Sequence, residues 1–143
     1  MTNNNAHKTA ITRKTLSAPM RYLSESGKIK GRALDYGCGK GYDADHLDMD
    51  GWDPHYRIRR PLGQYDTVTC NYVLNVVSND MAVVIMADIE QYLAPGGVAY
   101  ITIRRDIKKE GWTKKGTYQV NRVLDLPVET EKKGAFIMYK LEA

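Results

Sequence analysis

Apolar residues recur every three to four positions between residues 79 and 93, which is the clearest helical pattern in the chain. The face that they form consists of Met81, Val84, Ile85, Ile89, Tyr92 and Leu93. Ser78, Asn79 and Asp80 stand at its start and can each accept a hydrogen bond from the first free N–H groups of a helix. The pattern therefore predicts a helix over 79–93, ended by the proline and glycines of residues 94–97.

Short runs of β-branched and aromatic residues predict strands before and after this helix. They cover residues 32–36, 51–53, 65–70, 98–103, 117–124, 127–131 and 135–141, with a turn at 132–134. Two further helices are predicted over 13–26 and 42–49, with Pro19 in the first turn or at a kink of the earlier one. Strand–helix alternation that ends in a hairpin predicts an α/β sheet with a late antiparallel pair.

The chain has 143 residues, of which 43% are hydrophobic and 27% charged, and this composition is typical of a globular domain. We expect a single domain over 1–143 with a flexible lead-in at 1–12. No apolar run approaches the roughly 18 residues of a membrane span, and the first residues lack the apolar centre of a secretory signal. Cys38 and Cys70 are too few for a disulfide framework, so we expect a cytoplasmic protein.

Residues 34–41 give the strongest indication of chemistry, because glycine occupies every second position from Gly37. A predicted strand runs into this turn and a helix follows, so free N–H groups at the helix start face an approaching ligand. Glycine lets that ligand come close to the backbone, as nucleotide-type cofactors do at the carboxyl edge of a parallel sheet. A P-loop is absent, and the dinucleotide pattern Gly-x-Gly-x-x-Gly needs a glycine where Tyr42 stands.

The sequence Asp-x-Gly-x-Gly-x-Gly from Asp35 to Gly41 resembles the first motif of the class I S-adenosylmethionine-dependent methyltransferases. Asp53 follows twelve residues later at the end of the next predicted strand, where an acid can accept hydrogen bonds from both ribose hydroxyls. The resemblance implies a Rossmann-like sheet, methyltransferase activity and S-adenosyl-L-methionine as cofactor. It implies that the cofactor binds against Asp35, Gly37, Cys38, Gly39, Gly41, Asp53, Pro54 and Asn71.

The resemblance covers nearly the whole chain from about residue 30. Residues 64–76 look like the family's fourth strand and the loop that closes over the methyl donor, and 79–103 look like its fifth helix–strand unit. The predicted hairpin at 127–141 looks like its antiparallel last strand. A narrower similarity links the chain to methyltransferases associated with DNA phosphorothioation systems and to short phage-type relatives. It rests on residues 7–13, 34–39, 51–54 and 71–76.

Two features depart from the family's pattern. About a dozen residues separate Asp53 from the next strand, so the family's third strand and its helix are shortened or missing. Without them the family's usual contact to the adenine amine is also missing. His55, Tyr56 and Ile58 are candidates to form the adenine pocket instead. The Asp/Asn-Pro-Pro-Tyr tetrad of amino-methylating nucleic-acid enzymes is absent, since residues 71–74 are Asn-Tyr-Val-Leu.

The donor's methyl group is already activated by a positive sulfur, so the protein mainly needs to align donor and acceptor. Asn71 and Tyr72 are the candidate catalytic residues, with Asn71 orienting an amine or a hydroxyl. Arg13 is a candidate to reach either the cofactor carboxylate or the substrate. The three histidines lack metal-ligand spacing with the cysteines, so we expect no metal site.

The charge distribution bears on the methyl acceptor. The net charge is +4, and basic residues cluster in 1–32, 57–60 and 104–116. An anionic partner fits this distribution, although solvated lysines are the simpler explanation for each cluster alone. The loop at 104–116 leaves the carboxyl edge of the sheet, where ligands bind in open α/β folds. The candidate substrate-binding residues are Arg13, Arg105, Lys108, Lys109 and Trp112.

These residues would suit a nucleic acid or a nucleotide-like acceptor, which is the acceptor class that we favour from the sequence. A small-molecule methyltransferase is one alternative, supported by the absent tetrad. A non-catalytic cofactor-binding partner subunit is another, supported by the small size of the chain. We expect no membrane partner, and the sequence gives no oligomeric state.

Overall fold

The computed structural model describes His7, residues 10–114 and residues 116–143. The helices are α1 (Ala18–Glu25), α2 (Tyr42–His46) and α3 (Asn79–Tyr92). The strands are β1 (Ala33–Tyr36), β2 (Asp50–Trp52), β3 (Tyr65–Asn71), β4 (Leu93–Arg104), β5 (Gly111–Trp112), β6 (Tyr118–Gln119), β7 (Val128–Lys132) and β8 (Phe136–Glu142). Most of the lead-in predicted at 1–12 lies outside the described residues. None of the described helices is long and apolar enough to cross a membrane.

Six strands form one sheet in the order β2-β1-β3-β4-β8-β7. The first four strands are parallel to one another, whereas β8 is antiparallel to both β4 and β7. β5 and β6 form a separate antiparallel pair. The predicted Rossmann-like sheet with a C-terminal antiparallel hairpin is confirmed.

The segment between β2 and β3 contributes no strand to the sheet, so the sheet ends at β2 on that side. Residues 53–64 contain only an isolated bridge between Asp53 and Arg57 and no further strand. β2 is therefore the edge strand of the sheet. This confirms the prediction that the third strand of the family is reduced or missing.

Side chains alternate between the two faces of the sheet, as the period of two along a strand requires. On one face, Leu34 and Tyr36 of β1 belong to the core under α3. On the other face, Ala33 belongs to the core under α1 and α2, together with Met20 and Leu23. Because Asp35 alternates with Leu34 and Tyr36, it points to the side of α1 and α2.

α3 is the element that the sequence predicts best. Ser78 caps it, since the side-chain Oγ accepts a hydrogen bond from the Met81 N–H at 3.2 Å. Its buried face consists of Ala82, Ile85, Ile89 and Tyr92. Val84, predicted on this face, is instead 58% exposed.

Other element boundaries differ from prediction. α1 begins at Ala18 rather than residue 13, because Pro19 lies in its first turn and lacks the N–H that a helix interior needs. α2 ends at His46 rather than residue 49, before Asp48 with its positive φ of 55°. Residues 94–97 do not separate α3 from the next strand but lie within β4 as an irregularity in its pairing with β3. Of the strand predicted at 117–124, only β6 is paired.

Candidate functional site

A cavity of about 730 Å³ lies at the carboxyl edge of the parallel strands. Its volume falls in the range of roughly 300–1,000 Å³ that is typical of small-molecule sites. The glycine-rich turn, the end of β2, the loop after β3 and the first turns of α3 form its walls. All the residues predicted to bind cofactor line it: Asp35, Gly37, Cys38, Gly39, Gly41, Asp53, Pro54 and Asn71. The candidate residues Arg13 and Tyr72 line it as well.

Backbone contacts hold the glycine-rich turn against the end of β2. The N–H groups of Gly37 and Cys38 both donate to the Trp52 carbonyl, at 2.7 and 3.0 Å. Gly37 has a φ of +79°, and a Cβ there would collide with Val73 of the opposite wall. A Cβ on Gly41 would collide with the Arg57 guanidinium. Close packing and a positive φ therefore explain Gly37. At Gly41 the φ of +90° is the firmer reason, because the Arg57 guanidinium is the end of a flexible side chain.

Gly39 differs from its two neighbours in the turn. Within the described part of the chain, a Cβ there would meet the Ala10 side chain at 3.3 Å and nothing else within 4 Å. Its N–H donates to Asp53 Oδ2 at 2.9 Å. Gly39 is thus favoured by its positive φ of +57°, and its N–H is committed to the Asp53 carboxylate.

Asp53 joins the glycine-rich turn to the bend after β2. Besides the contact from Gly39, its Oδ1 accepts from the N–H groups of His55 and Tyr56, at 2.9 and 3.0 Å. It therefore orders the local turn, and it also faces the cavity as an almost fully buried carboxylate. Each carboxylate oxygen has two acceptor positions, so Oδ2 keeps one for a ligand hydroxyl.

Asp35 is a buried carboxyl at the end of β1, and Thr69 Oγ1 donates to its Oδ1 at 2.9 Å. The pKa of the Asp35 carboxyl is raised to about 7, chiefly by burial and in smaller part by the nearby carboxylates Asp43 and Asp53. The hydrogen bond from Thr69 and the charge of Arg13 act in the opposite direction. A cation beside Asp35 would favour its ionised form. The site is therefore suited to a ligand with a positive group near the glycine-rich turn.

Asn71 and Tyr72 lie where β3 ends and the cavity wall begins. The amide oxygen and nitrogen of Asn71 are buried, and neither has a hydrogen-bond partner among the described residues. Tyr72 has a φ of +62°, a strained conformation for a residue with a side chain, and strain of this kind clusters at functional sites. Burial raises the pKa of the Tyr72 hydroxyl, so it stays protonated near neutral pH.

The end of the cavity next to β2 contains residues that the sequence did not indicate. Arg60 lies 4.4 Å from the centroid of the Trp52 ring and forms a salt bridge of 2.7 Å with Asp88 of α3. The Tyr36 hydroxyl donates to Asp88 at 2.6 Å. These side chains pack beside the edge strand β2, which the family's third strand would otherwise cover. They come from four separate elements, so no local motif could have grouped them.

The residues predicted for the adenine pocket lie elsewhere. His55, Tyr56 and Ile58 are not among the residues that line the cavity. The His55 ring stacks on His7 with centroids 3.8 Å apart, and Ile58 is 70% exposed. These side chains follow the bend that Asp53 stabilises, and His55 reaches the cavity region only through its contact with the lining residue His7.

The opposite end of the cavity is its charged mouth, formed by Arg13, Tyr72, Arg104 and Asp106. Arg104 donates to both carboxylate oxygens of Asp106, at 2.8 and 2.7 Å. This guanidinium holds the pKa of Asp106 below its usual range. Arg13 is half-buried and forms no salt bridge within the described part of the chain. The remaining positions, 1–6, 8, 9 and 115, contain no Asp or Glu, so the chain offers Arg13 no further carboxylate there.

The candidate residues of the basic loop do not reach the cavity. Arg105, Lys108, Lys109 and Trp112 are absent from its lining, where the neighbouring Arg104 is found instead. The Arg105 guanidinium donates to the Arg122 carbonyl at 2.8 Å and to the Tyr139 hydroxyl at 3.1 Å, so it is committed to contacts within the fold. The Trp112 side chain is 66% exposed.

The two cysteines have no reactive character. Burial raises the pKa of the Cys38 thiol to about 12 and also raises that of Cys70, so both remain neutral thiols. Among the described residues, no three His, Cys, Asp or Glu side chains are grouped so that they could hold a metal ion.

Comparison with known proteins identifies the class to which this fold and site belong. A family model described as a methyltransferase domain matches residues 9–131. No curated protein sequence matches the chain. A solved structure of DhpI with SAM and HEP is similar with a TM-score of 0.63 and 17% identity, over 86% of this chain and 84% of DhpI.

Two further solved structures share the fold. An S-adenosylmethionine-dependent methyltransferase from Mesorhizobium loti matches with a TM-score of 0.56 and 12% identity, over 87% of this chain and 98% of that one. Magnesium protoporphyrin IX methyltransferase from Synechocystis PCC 6803, with bound SAM, matches with a TM-score of 0.52 and 14% identity, over 87% and 76%. At these identities the likeness concerns the fold.

The sheet, the glycine-rich turn and the acid after β2 together define a class I S-adenosylmethionine-dependent methyltransferase. The chain belongs to the methyltransferase-domain family, and its cofactor is S-adenosylmethionine. The residues present fit this cofactor, because the cavity is large enough and Asp53 keeps a free acceptor position for a ribose hydroxyl. The buried carboxyl of Asp35 suits the positive charges of the cofactor.

Proposed function

We propose that this methyltransferase acts on a small molecule that carries an anionic group and enters at the mouth formed by Arg13, Tyr72 and Arg104. The observation that carries the proposal is Arg13, a half-buried cation at the cavity that forms no salt bridge within the described part of the chain. Its charge lowers the pKa of the buried Asp35 carboxyl, but no described carboxylate contacts it directly. A guanidinium at a cavity that no carboxylate contacts directly is available to bind an oxyanion of a ligand through bidentate hydrogen bonds. Arg104 is already neutralised by Asp106, which leaves Arg13 to bind the anion.

The roles proposed for the other residues follow from their hydrogen-bonding capacity. S-adenosylmethionine, when bound, supplies a methyl group on a positively charged sulfur. Asn71 is proposed to orient the acceptor atom, since its amide can donate and accept and has no partner within the described chain. Asp106 is a weak base because Arg104 stabilises its ionised form. The acceptor is therefore proposed to react through a lone pair that is free near neutral pH, with alignment as the main contribution of the protein.

The cofactor's own methionine carboxylate is the other anion that fits Arg13. Both ligands share the chemistry of an oxyanion bound by a guanidinium, which favours bidentate hydrogen bonds. The two sources are separated by comparing S-adenosylhomocysteine with 5′-methylthioadenosine, which has no carboxylate. If Arg13 binds the cofactor, Arg13→Gln weakens binding of the first compound and leaves binding of the second unchanged.

The test of function is transfer of a labelled methyl group from S-adenosylmethionine to three acceptor pools: small anionic metabolites, DNA and tRNA. We expect label in the first pool. Asp53→Ala should weaken S-adenosylhomocysteine binding by about 1.5–3 kcal/mol, the scale of losing hydrogen bonds to a charged group, and so remove transfer at low cofactor concentration. An Arg13→Gln variant that binds S-adenosylhomocysteine normally but needs far more acceptor would support acceptor binding by Arg13. Label in neutral or cationic metabolites alone would contradict the proposal.

A nucleic acid remains the second candidate acceptor because of the exposed Trp112. Its ring is tilted against Tyr118 at 5.6 Å, and Lys108 and Lys109 are exposed nearby in the chain. Aromatic and basic side chains together bind single strands through stacking and phosphate contacts.

Lys108→Glu, Lys109→Glu and Trp112→Ala, combined in one variant, test this candidate without disturbing Arg105. Salt-dependent transfer to DNA or tRNA that the variant loses would favour a nucleic acid. Equal transfer by the variant and the wild type at every salt concentration would favour the small molecule. Tight binding of S-adenosylhomocysteine without transfer to any pool would favour a non-catalytic partner subunit.

A further inference from the structure

The loop that follows β3 forms one wall of the cofactor cavity and lies outside the helices and strands. Residues 72–78 connect β3 to α3, and Asn75, Val76 and Val77 line the cavity. Leu74 and Asn75 are nearly inaccessible to solvent, with 0% and 1% exposure. Buried backbone carbonyls need hydrogen-bond partners, so a buried loop of this kind must find donors elsewhere.

Those donors come from the segment after β6, which is far away in the sequence. The Arg122 guanidinium donates to the Leu74 carbonyl, the Val77 carbonyl and the Asn79 side-chain oxygen, each at 2.8 Å. The Val120 N–H donates to the Asn75 carbonyl, also at 2.8 Å. One side chain and one adjacent N–H group therefore satisfy three carbonyls of the cavity wall.

The backbone of Arg122 is in turn held by Arg105. Its carbonyl accepts from the Arg105 guanidinium, and the same Arg105 nitrogen reaches the Tyr139 hydroxyl of β8. The Arg105 N–H donates to the Ala135 carbonyl at 2.8 Å. The contacts thus run from the sheet through Arg105 to Arg122 and on to the cavity wall.

From this geometry we infer that Arg122 is a positioning residue for cofactor binding. It acts through the loop at 72–78 rather than by touching the cofactor, because Arg122 is not among the residues that line the cavity. The planar guanidinium presents several N–H donors in a fixed arrangement, which a lysine ammonium cannot reproduce. The inference rests on the proposed cofactor site and adds to it a residue outside that site.

The test compares Arg122→Gln and Arg122→Lys with the wild-type chain, with Arg59→Gln as the matched control at an exposed arginine. We expect Arg122→Gln to raise the Kd for S-adenosylhomocysteine and the KM for S-adenosylmethionine about tenfold, while kcat changes less than twofold. Arg122→Lys should recover part of the affinity. Hydrogen exchange in the loop at 72–78 should become faster in both Arg122 variants and stay unchanged in Arg59→Gln.

Two outcomes would overturn the inference. The first is a folded Arg122→Gln variant that binds S-adenosylhomocysteine within twofold of wild type. The second is a loss of kcat at unchanged KM, which indicates a role other than holding the cofactor wall. If Arg122→Gln does not fold, Asn79→Ala removes one of the three contacts and should raise the Kd by a smaller factor. Failure of the wild-type chain to bind S-adenosylhomocysteine would instead reject the cofactor site itself.

Discussion

Asp35 is the residue whose protonation is expected to respond to the cofactor. Its buried carboxyl has a pKa raised to about 7, whereas the carboxyl of an unfolded chain titrates near 3.9. Between these values the unfolded state releases a proton that the folded state retains. Stability of the free protein should therefore decrease as the pH rises toward 7, and it is highest below the unfolded pKa.

Cofactor affinity should change in the opposite direction. A positive ligand group favours the ionised form of Asp35, so the Kd for S-adenosylmethionine should fall as the pH rises from about 5.5 to about 7.5. Calorimetry in two buffers of different ionisation enthalpy should detect proton release on binding in this range. Asp35→Asn should remove both the proton release and the pH dependence. A Kd that is independent of pH in the wild-type chain would contradict this role.

The sequence predicted single residues of the candidate site better than it predicted the contacts between distant parts of that site. Asp35, Asp53 and the three glycines stand in one short stretch with fixed spacing, and that stretch carries its own turn geometry. Arg60 and Asp88 were missed because they meet only through the packing of α3 against the sheet edge. Contacts of that kind depend on the tertiary fold and leave no local pattern.

At the scale of elements, the glycine-rich turn is expected to be sensitive to the smallest possible side chain. Gly37→Ala adds a methyl group that collides with Val73, and it places alanine at a φ of +79°. Gly134 is a matched control, because its φ is +76° and a Cβ there meets nothing within 4 Å. Gly134→Ala should cost about 1–2 kcal/mol of the free energy of unfolding, the price of the backbone conformation.

Gly37→Ala should reduce the free energy of unfolding by about 1–3 kcal/mol more than Gly134→Ala does, because the added methyl group enters a packed site. In the double variant, Val73→Ala should recover part of that loss. Chemical denaturation of the wild type, the two single variants at Gly37 and Val73, and the double variant measures the coupling between the two positions. If Gly37→Ala and Gly134→Ala reduce the free energy of unfolding equally, then Val73 moves aside at little cost and the predicted collision is wrong.

α3 was predicted from local signals, whereas the extent of the strand expected at 117–124 depended on pairing with distant residues. α3 has a capping serine and an apolar face within its own sequence. By contrast, the chain at 117–124 has strand-forming residues but only Tyr118 and Gln119 find a partner strand. In the rest of that segment the Val120 N–H and the Arg122 side chain donate to carbonyls of the loop at 72–78, and β propensity alone does not anticipate such contacts.

For the molecule as a whole, ligand choice should follow from the shape of the glycine-rich turn. S-adenosylhomocysteine at 100 times its Kd should stabilise the fold by about 2.7 kcal/mol, a rise in Tm on the order of 5–10 °C. NAD and ATP should give little shift at the same concentration. The third glycine is at position 41 rather than 42, and no P-loop lysine follows the turn. Comparable stabilisation by all three ligands in a thermal denaturation series would contradict the cofactor assignment.

The position of β8 has a consequence for how the protein is made. β8 lies between β4 and β7 and pairs with β4 along residues 98–104, yet it leaves the ribosome after both of them. Until it emerges, β4 keeps one side of its backbone unpaired while the earlier strands are already able to associate. Open strand edges of this length invite pairing with other chains. During synthesis, protection from aggregation is therefore complete only when residues 136–142 insert into the sheet.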